Sequence, residues 1–271
     1  MPELPEVETT LNGIKPFILK KKIKNIVVRH HGLRWPIPTT INQTLSGKII
    51  QNVIRRGKYL LLTTAQGTIL LHLGMSGSLR ILTEPTPPKK HDHLDMIFAP
   101  QTILRFTDPR RFGAFLWTTD DPEQHPLLVH LGPEPLSKTA TGQYLWQKAQ
   151  GRKVPIKSFI MDSKVIVGVG NIYATEALFA AGISPKKPAG NVSLSQYNQL
   201  IKAIQKTLKA AIKKGGTTLK DFVNSEGKQG YFSVHLKVYG RKGLPCLTCK
   251  TPLKEIRIGQ RSTVYCPKCQ P

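Results

Sequence analysis

Apolar residues near the start of the chain are spaced as a helix spaces them. Val7, Leu11, Ile14 and Ile18 recur every three or four positions, on one face of an α-helix. Pro5, Glu6 and Glu8 suit its first turn, where proline forfeits no bond and acids meet the positive end of the dipole. From residue 22 to 119 the pattern changes. KNIVVRH, GKIIQNVI, KYLLLTT, GTILLHL, SLRIL, DHLDMIF and TILRF are short, rich in β-branched and large apolar residues, and punctuated by SGK, RRG, AQG and TEPTPP. Short strands at such spacing predict a β-sandwich or barrel. Residues 120–136, with Pro122, Pro126, Pro133 and Pro135, read as a linker. A helical period returns from Gly142 to Gly216. Ser193 and Gln196 form a capping box, Tyr197, Leu200, Ile201, Ile204, Leu208 and Ile212 supply a buried stripe, and Gly215 is a stop. NIYATEALFAAG, residues 171–182, reads as another helix.

Charge narrows the class. The 271 residues include 40 Lys and Arg against 16 Asp and Glu, a formal charge of +24. Such an imbalance points to a polyanionic partner, of which nucleic acid is the commonest; a merely basic surface is the rival reading. A hydrophobic fraction of 39% supports packed cores, enough for two modest domains and a small appendix. No apolar run approaches the ~20 residues of a membrane-spanning helix. Glu3, Glu6 and Glu8 stand where a secretory signal would be positive, so a cytoplasmic protein is expected.

All four cysteines lie in the tail. CLTC, 16 residues, then CPKC sets Cys246, Cys249, Cys266 and Cys269 at the spacing of a four-cysteine zinc site, saturated and therefore structural. LKEIRI and STVYC between the pairs look like two strands joined around GQR, a ribbon hairpin with Arg261 near its tip.

Other stretches carry weaker signals. GVGNIYA sets two glycines and Asn171 at a helix N-terminus, which favours a phosphate, or Asn171 simply caps its helix. HLGMSG and DPRRFG put Met75, Arg110, Arg111 and Phe112 in glycine-flanked turns, where apolar side chains could wedge between bases or pack beneath their loops. Lys58, after RRG, is indistinguishable alone from any other lysine. Pro2 stands outside the first helix. A small second residue permits removal of Met1, leaving a secondary amine beside Glu3.

Taken together, PELPEVE, RRGKYLLL, HLGMSGSLRIL, KHDH, DPRRFGA, GVGNIYA, GGTTLKDF and QRSTVYC within a four-cysteine ribbon closely resemble bacterial formamidopyrimidine-DNA glycosylase. The matching blocks run from residue 2 to residue 270. Ser163, where the family often has an amide residue, and an excess of surface lysines are the visible departures. The resemblance implies an α+β protein: an N-terminal β-sandwich flanked by helices (residues 1–134), a helix-two-turn-helix domain (135–236) and a C-terminal zinc-ribbon finger (237–271). DNA would lie in the cleft between the domains. It implies one structural Zn²⁺, double-stranded DNA with damaged bases or abasic sites as partner, no membrane, and a monomer.

The resemblance also assigns roles. Pro2 is the nucleophile, Glu3 the general acid/base on the sugar, and Lys58 and Arg261 assist the first and second eliminations. Glu6 aligns with a further carboxylate of the site. His91, Arg110, Arg152 and Asn171 match DNA-contacting positions, and Lys157, in PIKSF, aligns with a lysine linked to recognition of the oxidised purine. Met75 and Phe112 would fill the stack left by a flipped nucleotide while Arg110 reads the orphan base. The chemistry fits these residue types. An α-amino group has roughly 300-fold more free amine near neutral pH than a lysine, and a proline adduct is an iminium that stays an electron sink. The nearest alternative is an endonuclease VIII-like enzyme for oxidised pyrimidines, which PELPEVE and GGTTLKDF disfavour. A non-catalytic zinc-ribbon DNA-binding protein would leave Pro2, Glu3, Lys58 and Arg261 unexplained together.

Overall fold

The structure, a computed structural model, describes residues 2–216 and 236–271. Residues 217–222 of the GGTTLKDF motif lie outside that set. Among the described residues the chain forms two compact units, residues 2–129 with 214–216, and residues 130–213 with 236–271.

In the first unit the helix expected at the N-terminus is α1 (Leu4–Ile18), and Val7, Leu11, Ile14 and Ile18 are all buried. Eight strands follow. β1 (Ile23–Val28), β6 (Asp92–Phe98), β7 (Thr102–Thr107) and β5 (Ser78–Leu82) form one antiparallel sheet in that order. β2 (Asn52–Arg56), β3 (Tyr59–Thr64), β4 (Gly67–His72) and β8 (Ala114–Thr118) form the other. Leu60 and Leu71 from one sheet and Leu94 and Phe106 from the other join α1 in a single core. The sandwich therefore closes around the helix that carries the N-terminus.

Two local expectations change. GKIIQNVI is not one strand. Gly47 takes a φ of +86°, the Ile50 N–H turns to the Lys21 carbonyl, and β2 begins only at Asn52. A short helix, α2 (Ile41–Leu45), also interrupts the strand region. Across β6 and β7 runs a buried ionic strip. Arg105 donates to both oxygens of Asp95 at 2.8 Å and to the Thr86 carbonyl at 2.8 Å, fastening the TEPTPP turn. Burial works against ionising Asp95, but hydrogen bonds from Arg105 and Arg29 hold its carboxyl below the usual range.

The second unit contains α3 (Gly142–Ala149), α4 (Ile156–Met161), α5 (Asn171–Ala180) and α6 (Leu194–Lys213). The capping box at the start of α6 is present, with Gln196 N–H on Ser193 Oγ at 3.2 Å and Ser193 N–H on Gln196 Oε1 at 3.1 Å. Gly215 takes a φ of +74° just past its end, the left-handed geometry that suits a helix stop. β9 (Lys254–Ile258) and β10 (Arg261–Tyr265) form the expected hairpin. Gly259 and Gln260 join them at φ +53° and +62°, the two positive values of a type I′ turn.

Candidate active site and nucleic-acid interface

The PELPEVE segment folds into the start of α1 rather than a loose tail. Pro2 is buried, and Glu3 and Glu6 are 3% and 0% exposed. The Glu3 N–H donates to the Glu6 carboxylate at 2.9 Å. That bond answers a donor the helix leaves without an internal partner, so Glu6 fixes the direction in which Glu3 and Pro2 enter. Lys58 occupies the two-residue turn between β2 and β3, where Gly57 has a φ of +59°. An Arg55–Glu8 ion pair at 2.6 Å fastens β2 to α1. The chain's start and the Lys58 turn are thus carried by elements that pack together.

His72 belongs with this group, although the residue patterns did not single it out. Its Nδ1 accepts the Gly74 N–H at 3.0 Å, which leaves the proton on Nε2. Burial first, and then the positive charges of Lys58 and Arg34, lower its pKa to about 4. At neutral pH it is a neutral donor beside two cations. The signal was present in HLGMSG, whose first residue it is, but a histidine at a strand end has no distinctive neighbours in sequence.

The HLGMSG and DPRRFG turns meet backbone to backbone. Gly74 has a φ of +62°, and a Cβ there would lie 2.6 Å from both the Gly113 nitrogen and the Phe112 carbonyl carbon. Phe112 is 42% exposed, with the Arg110 guanidinium 5.0 Å from its ring centre. Arg110 is exposed and Met75 half-buried. A large apolar ring held in water under a guanidinium is what an intercalating group needs. Arg111 between them has a φ of +58°, an uncommon left-handed geometry outside glycine. Beside this turn His91, Lys89, Lys90, Arg29, His30 and Arg111 line an open cavity of about 450 Å³. Its charge suits an anion.

In the second unit, Asn171 begins α5 but does not cap it; Gly170 occupies the cap position. Asn171 Nδ2 donates to the Ser262 carbonyl at 3.2 Å, while its buried Oδ1 has no partner among the described residues. Lys157 is 1% exposed, and its ammonium donates to Thr263 Oγ1 at 2.6 Å and to the Ser262 carbonyl at 3.1 Å. Both side chains therefore hold the strand that begins with Arg261, which is itself exposed. Lys157, read from sequence as a DNA-binding residue, thus lies inside the fold with its ammonium directed at β10. Arg152 is exposed in the turn after α3.

The four cysteine sulfurs lie within 4.8 Å of one another, unbridged, with Cys246 and Cys266 buried. Thr251 lowers the Cys249 thiol to about 6, whereas the neighbouring Cys249 sulfur, then burial, pushes Cys269 up to about 12. Four sulfurs this close cannot all ionise without a cation among them. Tetrahedral Zn²⁺ meets that need with every coordination position filled, so one structural zinc held by these four residues fits the donor set.

Family models match the chain in three stretches: the formamidopyrimidine-DNA glycosylase N-terminal domain over residues 1–115, the H2TH domain of that enzyme over 131–223, and a zinc finger found in FPG and IleRS over 243–271. Formamidopyrimidine-DNA glycosylases of Marinobacter nauticus and Methylococcus capsulatus are 56% and 55% identical over 270 residues, covering 100% of each chain. The chain belongs to the formamidopyrimidine-DNA glycosylase family. Solved members have the same fold. MutM (Fpg) from Thermus thermophilus is 36% identical with a TM-score of 0.87, covering 99% of this chain and 98% of its own. Lactococcus lactis Fpg in complex with DNA containing an abasic site is 32% identical with a TM-score of 0.90, covering 99% of both. Among the described residues, no helix of this family member is long and apolar enough to cross a membrane.

Proposed function

We propose that the chain removes oxidised purines, such as 8-oxoguanine and formamidopyrimidines, from double-stranded DNA and cuts the strand at the abasic site left behind. The observation that carries the reading is Pro2–Glu3 at a buried helix start, set by Glu6, in a chain of this family. It acts as a monomer in the cytoplasm, on nucleoid DNA.

With Met1 removed, Pro2 presents a secondary amine. The damaged nucleotide is flipped out of the duplex, because C1′ is out of reach within the stack. The Pro2 nitrogen bonds to C1′, the glycosidic bond breaks, and the base leaves with a proton. Glu3 donates to and accepts from the sugar as its ring opens to the iminium. Loss of the 2′ proton then sends an electron pair into the iminium and expels the 3′ phosphate. A second elimination expels the 5′ phosphate, and water releases Pro2. Lys58 and Arg261 serve the two eliminations by neutralising the departing phosphates. His91, Arg110, Arg152 and Asn171 hold the DNA, Met75 and Phe112 occupy the vacated stack, and Arg110 presents only donors to the orphan base. Cytosine, with two acceptors on its pairing edge, is favoured over adenine. Lys157 contributes by holding the Arg261 strand.

Borohydride added during turnover of 8-oxoguanine duplex should reduce the iminium and leave the protein covalently joined to DNA through Pro2. An adduct mapped to a lysine would overturn the assignment. Protein retaining Met1 should excise nothing, because it exposes no secondary amine.

A further inference from the structure

Asp108 opens the DPRRFG turn and is 0% exposed, yet the chemistry above gives it no part. Its carboxylate is answered by neutral donors. Oδ1 accepts the Ser76 hydroxyl at 3.1 Å and Oδ2 the Gly113 N–H at 2.8 Å. Ser76 in turn accepts the Arg110 N–H at 3.3 Å. The backbone of Asp108 is engaged as well, its N–H on the His91 carbonyl at 3.0 Å and its carbonyl on His93 Nε2 at 2.7 Å. Burying a carboxylate is costly where, as among the described residues here, no cation pairs with it. What the carboxylate achieves is connection. It ties the turn bearing Met75 to the turn bearing Arg110 and Phe112, while the backbone N–H of Asp108 holds the segment bearing His91.

We propose that Asp108, acting through Ser76, is the positioning residue for reading the base opposite the lesion. The inference rests on the assignment of Arg110 to the orphan base. Arg110 hangs from a backbone whose N–H is anchored to Ser76, and Ser76 is anchored to Asp108. Releasing that chain lets the guanidinium wander from the geometry in which cytosine and adenine differ.

The experiment measures excision of 8-oxoguanine opposite C and opposite A, and reads the ratio of the two rates. A loss of folded enzyme lowers both rates equally and leaves the ratio unchanged, so the ratio reports positioning. Asp108→Ala should lower it by about fivefold or more, within the range of a good base contact. Asp108→Asn should keep most of it, since an amide can donate to Ser76 and accept from Gly113. Ser76→Ala, a single hydroxyl removed, should lower the ratio as well and serves if Asp108→Ala does not fold. Arg110→Ala, run alongside, separates the two claims. If Arg110→Ala abolishes discrimination while Ser76→Ala and any folded Asp108→Ala keep the wild-type ratio, Asp108 has no positioning role. If Arg110→Ala itself keeps the ratio, the reading of Arg110 is wrong and the inference falls with it.

Discussion

The sandwich and the ribbon each carry an end of the chain into the proposed chemistry, but they are built on different physics. Among the described residues the sandwich and α1 together bury two dozen apolar side chains in one core, ample to hold the Pro2 end by burial alone. Among the described residues the ribbon's cluster contains Val238, Leu253 and Val264, with Phe179 of α5, besides Cys246 and Cys266. So small a core does not stabilise a hairpin unaided. Metal, and attachment to the helices, must supply the rest. Glu176 of α5 shows how the attachment is made. Buried, it accepts the N–H groups of Lys237, Val238 and Tyr239 at 2.8–2.9 Å, where the chain enters the ribbon. Gln270 completes it by donating to the Ile183 carbonyl at 2.9 Å.

The largest effect should follow removal of the metal. Chelation or Cys249→Ser should cost the ribbon on the order of 10 kcal/mol, the scale of structural zinc binding in small sites. Hydrogen exchange would then report β9 and β10 open and the sandwich strands still protected. Equal loss of protection in both would mean that the sandwich also depends on the metal.

A smaller effect is expected from Glu176→Gln. One amide oxygen replaces two carboxylate oxygens against three donors, costing about 1–3 kcal/mol. It should appear as earlier melting of the zinc-loaded ribbon, with the sandwich transition unmoved. An unchanged ribbon transition would assign the attachment to other contacts.

The smallest concerns acid and the sandwich alone. The folded pKa of His72, about 4, lies below the ordinary ~6.5, so the unfolded chain binds more protons between those values. The stability gained from keeping His72 neutral is full above pH ~6.5 and fades as pH falls toward 4. At pH 5 the loss is about 2 kcal/mol. His72→Asn keeps an acceptor for Gly74 and should remove that part of the slope from denaturant titrations at pH 7 and pH 5. A slope identical to wild type would place the acid sensitivity elsewhere.

Local signals made much of this legible. The cysteine spacing, the period of α1 and the capping box of α6 depend on neighbours within a few residues, and sequence displays those directly. DHLDMIF and SLRIL coincide with β6 and β5. What sequence hides is where a polar side chain ends up. Lys157 reads as one basic residue among 40, and only the fold sets its ammonium on a strand 105 residues away. Asn171 looks like a cap because it begins a helix, yet its amide reaches β10 instead. Asp108 and Glu176 carried no signal, since the Ser76 hydroxyl and the N–H groups of Lys237, Val238 and Tyr239 reach them only through tertiary packing. Short elements such as α2 lack the length to establish a period.

The burial of Pro2 has a consequence for how the protein is made. A peptidase that trims Met1 needs the first residues extended and reachable, and α1 packs against β2, β5 and β7, the last of which ends at Thr107. Trimming is therefore expected while the ribosome is still adding the strands that will enclose the chain's start. At about 5–20 residues per second that interval lasts about 5–20 s. On the proposed role of Pro2, a molecule that misses it exposes no secondary amine and should excise nothing. Maturation here is a race against the protein's own folding.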